Sequence, residues 1–378
     1  MIYFHIPFCK QACHYCDFHF STSLKHKDEL LLALQKEVAL RAHYLTEKTV
    51  QSIYFGGGTP SLLTAEDIQH LVGKVAEHFH IANDAEITLE ANPDDLDKAK
   101  VAGLRHTPIN RFSIGIQSFY EEDLRWMNRA HNASEAETSI KRVQDAGFEN
   151  ITADLIYGFP LLTNEKWTTN MQKLLSFNIP HISSYAMTVE QKTALAHFIR
   201  QGKTSPIQES QSAEQMNMLI DTLTDNGFEH YEISNFAKNG HYAKHNTSYW
   251  QGKHYLGIGP SAHSFNGSSR SWNIANNARY IEDITSKKTA SETEELSTED
   301  QFNEYIMTSL RTMWGIDLEK IKNDFGNPTT GYLQTHIAPF VAQQDVEWVH
   351  ERFFRLTQKG KLMADYIAAE LFLINDEG

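Results

Sequence analysis

The residues best suited to chemistry in this chain are its three cysteines, which fall within one eight-residue window. Four thiolates complete the coordination of a cubane [4Fe-4S] cluster, whereas three leave one iron open to an exchangeable ligand. Cys9, Cys13 and Cys16 therefore predict a cluster with one open position. A zinc site completed by His14 or His19 is the alternative, because short Cys/His tracts often bind zinc. The spacing favours the cluster, since zinc ligands usually come as Cys-x2-Cys pairs.

A glycine-rich turn is the second candidate. Residues 56–60 read Gly-Gly-Gly-Thr-Pro and directly follow an apolar run at 52–55. The turn is neither a Walker loop nor a dinucleotide-binding turn, because the residues that follow do not fit either motif. Consecutive glycines let a backbone approach a ligand where any side chain would collide. The alternative is an ordinary turn at a strand end.

Polar residues also follow the later apolar runs. Glu90, Gln117 and Asp154 lie at or near predicted strand ends, and Arg129 follows shortly after the fourth strand. A carboxylate can accept hydrogen bonds from amino or ribose hydroxyl groups, and a guanidinium can bind a carboxylate through paired hydrogen bonds. Taken singly, each residue could equally be a helix cap, a surface charge or a barrel-filling polar group. Together they suit a zwitterionic nucleoside ligand.

These residues need a scaffold that brings the strand ends together. Amphipathic helical patterns alternate with short runs rich in β-branched and aromatic residues. Alternating strands and helices imply right-handed parallel crossovers, and ligands of such sheets bind at the carboxyl ends of the strands. The predicted strands cover residues 2–6, 52–55, 86–90, 111–116, 151–157 and 181–186.

The fold class is therefore α/β, and we predict three regions. Residues 1–230 form a partial (β/α)6 barrel, residues 231–295 a connecting region, and residues 296–378 a C-terminal, mostly helical winged-helix-like domain. Winged helices often bind DNA. Here the 34 basic and 48 acidic residues give a net charge of -14, which repels phosphate backbones. We expect a packing or lid role for this domain and no nucleic-acid partner.

The composition also bears on the compartment. No uninterrupted apolar run approaches the roughly 18 residues that a membrane span needs, and the N-terminus lacks the basic region of a signal peptide. An odd number of cysteines argues against a disulfide framework and favours a reducing compartment. We expect a cytoplasmic protein without a transmembrane segment.

Several of these motifs resemble one superfamily in identity and order. The Cys-x3-Cys-x2-Cys spacing is similar to that of radical S-adenosylmethionine (SAM) enzymes, and the wider set resembles the oxygen-independent coproporphyrinogen III oxidase family. The resemblance implies a [4Fe-4S] cluster whose open iron is chelated by SAM. The implied cluster ligands are Cys9, Cys13 and Cys16, and the implied cofactor-binding residues are Tyr3, Tyr15, Gly57, Gly58, Thr59, Glu90, Gln117, Arg129 and Asp154.

Two departures from the oxidases favour the HemW-type haem chaperones of the same superfamily. Phe18 stands where the oxidases have a fourth cysteine, and the first strand begins at residue 2, without the oxidases' long N-terminal extension. Residues 245–250 also fit the His-Asn-x-x-Tyr-Trp motif of these chaperones. The motif implies haem binding through His245, since imidazole is a good axial ligand for haem iron. A structural loop is the alternative for His245.

The resemblance implies a chaperone that binds haem and transfers it to haem-acceptor proteins, among them membrane-associated respiratory enzymes. Its cofactors would be the cluster, SAM and haem. The alternative function is that of an oxygen-independent coproporphyrinogen III oxidase, or of another radical SAM oxidoreductase acting on a tetrapyrrole.

Overall fold

The computed structural model describes residues 1–288 and 290–374. Six parallel strands form its centre, each followed by at least one helix. Each strand pairs in parallel with the next, from the first to the sixth, with register shifts near Val50 and Gly115. The strands are β1 (Ile2–Ile6), β2 (Thr49–Gly57), β3 (His80–Ala91), β4 (Arg111–Gln117), β5 (Ile151–Tyr157) and β6 (His181–Ala186). All six strands predicted from the sequence are confirmed.

The helices between these strands pack an apolar face against the sheet. Their ends carry the expected signals: Thr64 and Asp67 form a capping box, as do Asn132 and Glu135, and Gly147 ends a helix with a φ of 83°. The helices are α1 (Lys27–Arg41), α2 (Ala65–Ala76), α3 (Lys98–Leu104), α4 (Glu121–Trp126), α5 (Ala133–Asp145), α6 (Asn164–Ser176), α7 (Ala194–Arg200) and α8 (Glu209–Asp225).

The predicted connecting region contributes further strands to the same sheet. The antiparallel pair β7 (Glu229–Glu232) and β8 (Asn235–Ala237) lies beside β6, with β8 antiparallel to it, and β9 (Leu256–Ile258) lies parallel to β1. The order of the nine-stranded sheet is therefore β7-β8-β6-β5-β4-β3-β2-β1-β9. A separate three-stranded antiparallel sheet follows. The elements are β7 (Glu229–Glu232), β8 (Asn235–Ala237), α9 (Lys244–Trp250), β9 (Leu256–Ile258), β10 (His263–Phe265), β11 (Ser269–Asn273), α10 (Asn277–Thr285) and β12 (Ser291–Glu295).

The C-terminal elements are mostly helical around a small three-stranded antiparallel sheet, in agreement with the winged-helix-like prediction. They have their own apolar core, from Phe302 to Leu371, whereas the larger core runs from Ile2 to Ala290. Gly326 interrupts the longest helix. The elements are α11 (Thr298–Leu310), β13 (Ile316–Asp317), α12 (Leu318–Ala342), β14 (Val346–Val349), β15 (Phe353–Leu356), α13 (Gln358–Lys361) and α14 (Ala364–Glu370).

Within the described residues, no helix has the length and apolar character needed to cross a bilayer.

Candidate functional site

The cysteines lie in the loop that follows β1, and this loop folds back on itself. The Phe8 amide donates to the Ile6 carbonyl at 2.9 Å, and the Cys9 amide donates to the Ser21 carbonyl at 3.0 Å. The Ser21 amide in turn donates to the Pro7 carbonyl at 2.8 Å. The loop is therefore closed at its base, at the carboxyl end of the parallel sheet.

The glycine-rich turn packs directly against this loop. The Gly58 amide donates to the Ile6 carbonyl at 2.9 Å, and the Thr59 amide donates to the Phe8 carbonyl at 2.7 Å. A Cβ atom on Gly58 would lie 2.7 Å from the Phe8 carbonyl oxygen, a backbone atom that cannot turn aside. Gly57 has a φ of 106°, and a Cβ there would lie 2.6 Å from the His5 ring. The glycines thus permit close contact between two segments of the chain.

All three thiols are partly buried. Burial raises the pKa of Cys16 to about 12 and also raises the pKa of Cys9. Buried thiols therefore favour the neutral form until a cation stabilises the thiolates, which bound iron would do. The nearest guanidinium is that of Arg129, whose Nη1 lies 3.4 Å from the Cys13 sulfur and 3.5 Å from the Tyr15 hydroxyl.

The two histidines of the zinc alternative are engaged elsewhere. His14 Nδ1 lies 2.8 Å from the Trp126 carbonyl oxygen, and His19 Nε2 lies 2.7 Å from the Asn277 side-chain oxygen. Within residues 1–288 and 290–374, no three His, Cys, Asp or Glu side chains are arranged to hold one metal ion. The ligands of one zinc ion converge on one point, whereas the thiolates of a cubane each bind a different iron.

Arg129 connects the cysteine loop to the strand ends. Its Nη2 donates to the Asn92 side-chain oxygen at 2.7 Å and to the Gly115 carbonyl at 3.0 Å. Two buried atoms beside this network lack a partner among the described residues: Nε of Arg129 and the side-chain oxygen of Gln117. One is a cationic donor and the other an acceptor, so together they fit the carboxylate and amino groups of an amino-acid ligand such as the methionine end of SAM.

A row of polar side chains covers one face of the sheet. Tyr3 and Tyr54 are opposite in register and stack at 6.1 Å, and the Tyr54 hydroxyl donates to Glu90 at 2.7 Å. Farther along, the Ser113 hydroxyl lies 3.3 Å from both oxygens of Asp154. Because side chains alternate along a strand, these residues share one face. Tyr54, Asn92 and Ser113 did not figure in the sequence prediction, although the alternation that places Tyr3 also places Tyr54.

The two carboxyl groups on this face have shifted pKa values. Burial raises the pKa of Glu90 to about 7, the Asp154 charge adding to the effect, while hydrogen bonds from Tyr54 and the Gly57 amide oppose it. Burial likewise raises the pKa of Asp154 to about 6. Both groups hold a proton more tightly in the folded chain than in the unfolded chain. A ligand that brings hydrogen-bond donors or positive charge to this face would therefore stabilise the ionised form of both carboxyl groups.

We expect Glu90→Gln to flatten the pH dependence of stability. Because the folded pKa lies above the unfolded value near 4.5, Glu90 makes the free energy of unfolding fall as pH rises from about 4.5 to about 7. Denaturant titrations of the iron-free protein at pH 5 and pH 7.5 measure this difference. The change between the two pH values is expected to be smaller in Glu90→Gln than in the exposed control Glu149→Gln. Equal changes in the two variants would show that Glu90 does not contribute to the pH dependence of stability.

Both ring nitrogens of His245 have hydrogen-bond partners within the protein. Its Nδ1 lies 2.8 Å from the Ser52 hydroxyl and its Nε2 lies 2.9 Å from the Tyr249 hydroxyl. The ring stacks on Tyr54 at 5.0 Å and is 1% exposed. Binding of Nε2 to an iron would require Tyr249 to give up its hydrogen bond. The haem role of His245 stays a prediction, and this geometry favours the structural alternative.

Comparison with known proteins decides the family. Residues 3–174 match the model of the radical SAM superfamily, and residues 296–363 match that of the HemN C-terminal domain. The chain is 32% identical to heme chaperone HemW of Bacillus subtilis over 368 residues, which cover 97% of each protein. The chain belongs to the HemW family. Membership of the radical SAM superfamily implies a [4Fe-4S] cluster and SAM as cofactors.

Other relatives agree with the HemW assignment. Heme chaperone HemW of Escherichia coli K12 is 36% identical over 274 residues, which cover 69% of each protein. A solved structure of coproporphyrinogen III oxidase (HemN) from Escherichia coli aligns with a TM-score of 0.84 and 24% identity, covering 98% of this chain and 89% of that one. The likeness to HemN concerns the fold: this chain shares the architecture of HemN.

Proposed function

We propose that this chain is a haem chaperone, which binds haem and transfers it to haem-requiring acceptor proteins. The observation that carries the proposal is the full-length relationship to heme chaperone HemW, which includes the C-terminal region as well as the barrel. Acceptors that include membrane-associated respiratory enzymes belong to the same proposal. A chaperone needs a site that holds haem and also releases it, so moderate affinity is expected.

The proposal also includes the residues that would hold the cluster and SAM. Cys9, Cys13 and Cys16 would each bind one iron of the [4Fe-4S] cluster, and SAM would chelate the fourth. When bound, the reduced cluster can supply one electron to SAM. Arg129 would orient the methionine end of SAM, because its Nε has no partner among the described residues while its other nitrogens are fixed. The carboxyl of Glu90 would accept hydrogen bonds from the cofactor.

The second candidate is oxidation of coproporphyrinogen III. The motifs that resemble those of the oxidases favour it, whereas the side chain at residue 18 counts against it. Phe18 is 66% exposed beside the cysteine loop, where the oxidases that the sequence resembles have a further cysteine. The two functions differ in a measurable way, because an oxidase releases carbon dioxide from its substrate and a chaperone leaves haem unchanged.

One experiment separates them. The protein is reconstituted anaerobically with iron and sulfide, titrated with haemin, and assayed separately on coproporphyrinogen III with SAM and a reductant. We expect saturable haem binding at one equivalent and no decarboxylation. Decarboxylation without stoichiometric haem binding would overturn the proposal in favour of the oxidase.

Replacing His245 tests its role directly. His245→Phe keeps an aromatic ring against Tyr54 but leaves the Ser52 and Tyr249 hydroxyls without their partner. We expect the free energy of unfolding to fall by about 1–3 kcal/mol, because buried polar groups lose hydrogen bonds. We expect the absorption spectrum of bound haem to stay unchanged. A spectrum that shows loss of an axial imidazole would instead make His245 the haem ligand.

A further inference from the structure

A cavity of about 610 Å³ opens between the edge of the large sheet and the C-terminal region. Tyr157 ends β5, and Met187 follows the end of β6, so the cavity adjoins the carboxyl ends of the strands. The first two turns of α8 form one wall, and Lys361 and Leu362, at the end of α13, form another. Its volume lies within the range of about 300–1,000 Å³ that is typical of small-molecule sites.

The walls of this cavity are mainly apolar and include two thioethers, with a smaller polar share from Glu209, Ser210, Ser212 and Ser234. Met187 and Met216 are 5% and 8% exposed, and Ile207, Ile233 and Leu362 add apolar surface. Methionine is flexible and polarisable, and it packs well against flat aromatic surfaces. The larger, apolar part of this lining suits a large flat ligand, and the smaller polar part suits polar substituents at the edge of that ligand.

Lys361 places one positive charge at the cavity. Its Nζ donates to His230 Nδ1 at 3.0 Å, and His230 Nε2 lies 3.2 Å from the Ile233 carbonyl oxygen. Burial lowers the pKa of His230 to about 3, so the ring is neutral and can accept this bond. Burial also lowers the pKa of Lys361 to about 8, which still leaves most of the ammonium groups charged at pH 7.

No carboxylate of the described residues lies within ion-pair distance of this ammonium, and the charge of Glu347, farther away, only partly opposes the lowering of its pKa. The contact of the ammonium is with a neutral ring, and the ion pairs of those residues do not include Lys361. A largely buried ammonium is stabilised when a carboxylate approaches it, and the gain is large in an apolar setting. A ligand that is apolar over most of its surface and carries a carboxylate fits both features.

We propose that this cavity is the haem site, with the macrocycle against Met187 and Met216 and a propionate carboxylate on Lys361. The inference rests on the proposed chaperone function and adds to it the place and mode of binding. The proposed site is separate from His245, which lies in α9 with its ring against Ser52 of β2.

Two substitutions and two controls test the proposal in the reconstituted full-length protein titrated with haemin. Ala213→Phe fills the cavity from α8, and Ala102→Phe makes the same change at an exposed position of α3. Lys361→Met removes the charge, and Lys192→Met removes one from an exposed lysine. We expect both cavity variants to bind haem at least about tenfold more weakly, with both controls unchanged. Thermal unfolding verifies that each variant is folded.

A second titration uses haem whose propionates are esterified. The ester cannot form the ion pair, so Lys361→Met is expected to weaken haem binding but to leave binding of the ester unchanged. Wild-type haem binding that persists in both cavity variants would overturn the site and leave the chaperone function standing. If the wild-type protein binds no haem, the proposed function itself fails, and the site fails with it.

Discussion

The Cys13→Ala variant is expected to lose the cluster completely, so that iron falls from about four atoms per chain to nearly none after anaerobic reconstitution. Each thiolate would hold one iron, and the fourth iron has no protein ligand to compensate. The partly buried Cys13 sulfur also lies 3.4 Å from Arg129, whose charge would help to hold the thiolate. Iron and sulfide analysis, together with the visible absorption of the cluster, measures the loss.

Ser21→Ala is the matched control, because it alters the same loop but keeps the backbone hydrogen bonds of residue 21 to Pro7 and Cys9. It is expected to retain full iron and sulfide. Retention of the cluster in Cys13→Ala would contradict the ligand assignment. Zinc as the bound metal in the wild-type protein would restore the alternative that the cysteine spacing left open.

Gly58→Ala is expected to have the second largest effect, on both stability and SAM binding. The new methyl group would lie 2.7 Å from the Phe8 carbonyl oxygen and 2.9 Å from the Ile6 carbonyl oxygen. Both are backbone atoms of the segment that leads into the cysteine loop, so the loop or the turn must shift. Overpacking of this kind costs about 1–3 kcal/mol. The shift would also displace the cysteines relative to the glycine turn.

Denaturant unfolding and SAM-binding titrations measure the two effects of Gly58→Ala. Gly73→Ala is a suitable control, because Gly73 lies inside α2 and a methyl group added there would have open space within 4 Å. Alanine is favoured over glycine in a helix interior, so the control is expected to gain up to about 1 kcal/mol and to bind SAM normally. Wild-type stability and SAM affinity in Gly58→Ala would show that the contact is not restrictive.

The strands of the barrel could be predicted because each is a buried apolar run of ordinary length between turn signals. Strands β7, β8 and β9 escaped prediction because they are only three or four residues long, and β9 also lies in a segment rich in Gly, Ser and Asn. Their place in the sheet depends on pairing with β6 and β1, which are distant in sequence. Such pairing is a tertiary effect that local propensity does not encode.

The candidate site could likewise be predicted only in part. The cysteine motif and the polar residues at strand ends could be recognised individually, because their types and spacing are local features. The hydrogen bond from Tyr54 to Glu90, and the approach of Arg129 to Asn92, join different strands and loops and emerge only from the sheet register. His245 is a further example, since only the folded chain shows that both its nitrogens already have partners.

Transfer of haem to an acceptor is the decisive measurement for the chaperone function. The haem-loaded, cluster-containing protein is mixed with a haem-free acceptor protein, and the absorption spectrum of the acceptor is followed after the two proteins are separated. We expect the acceptor to gain haem while this chain loses an equal amount, faster than by release of haem into buffer alone. Haem that stays on this chain, or that reaches the acceptor no faster than free haem, would contradict the chaperone function.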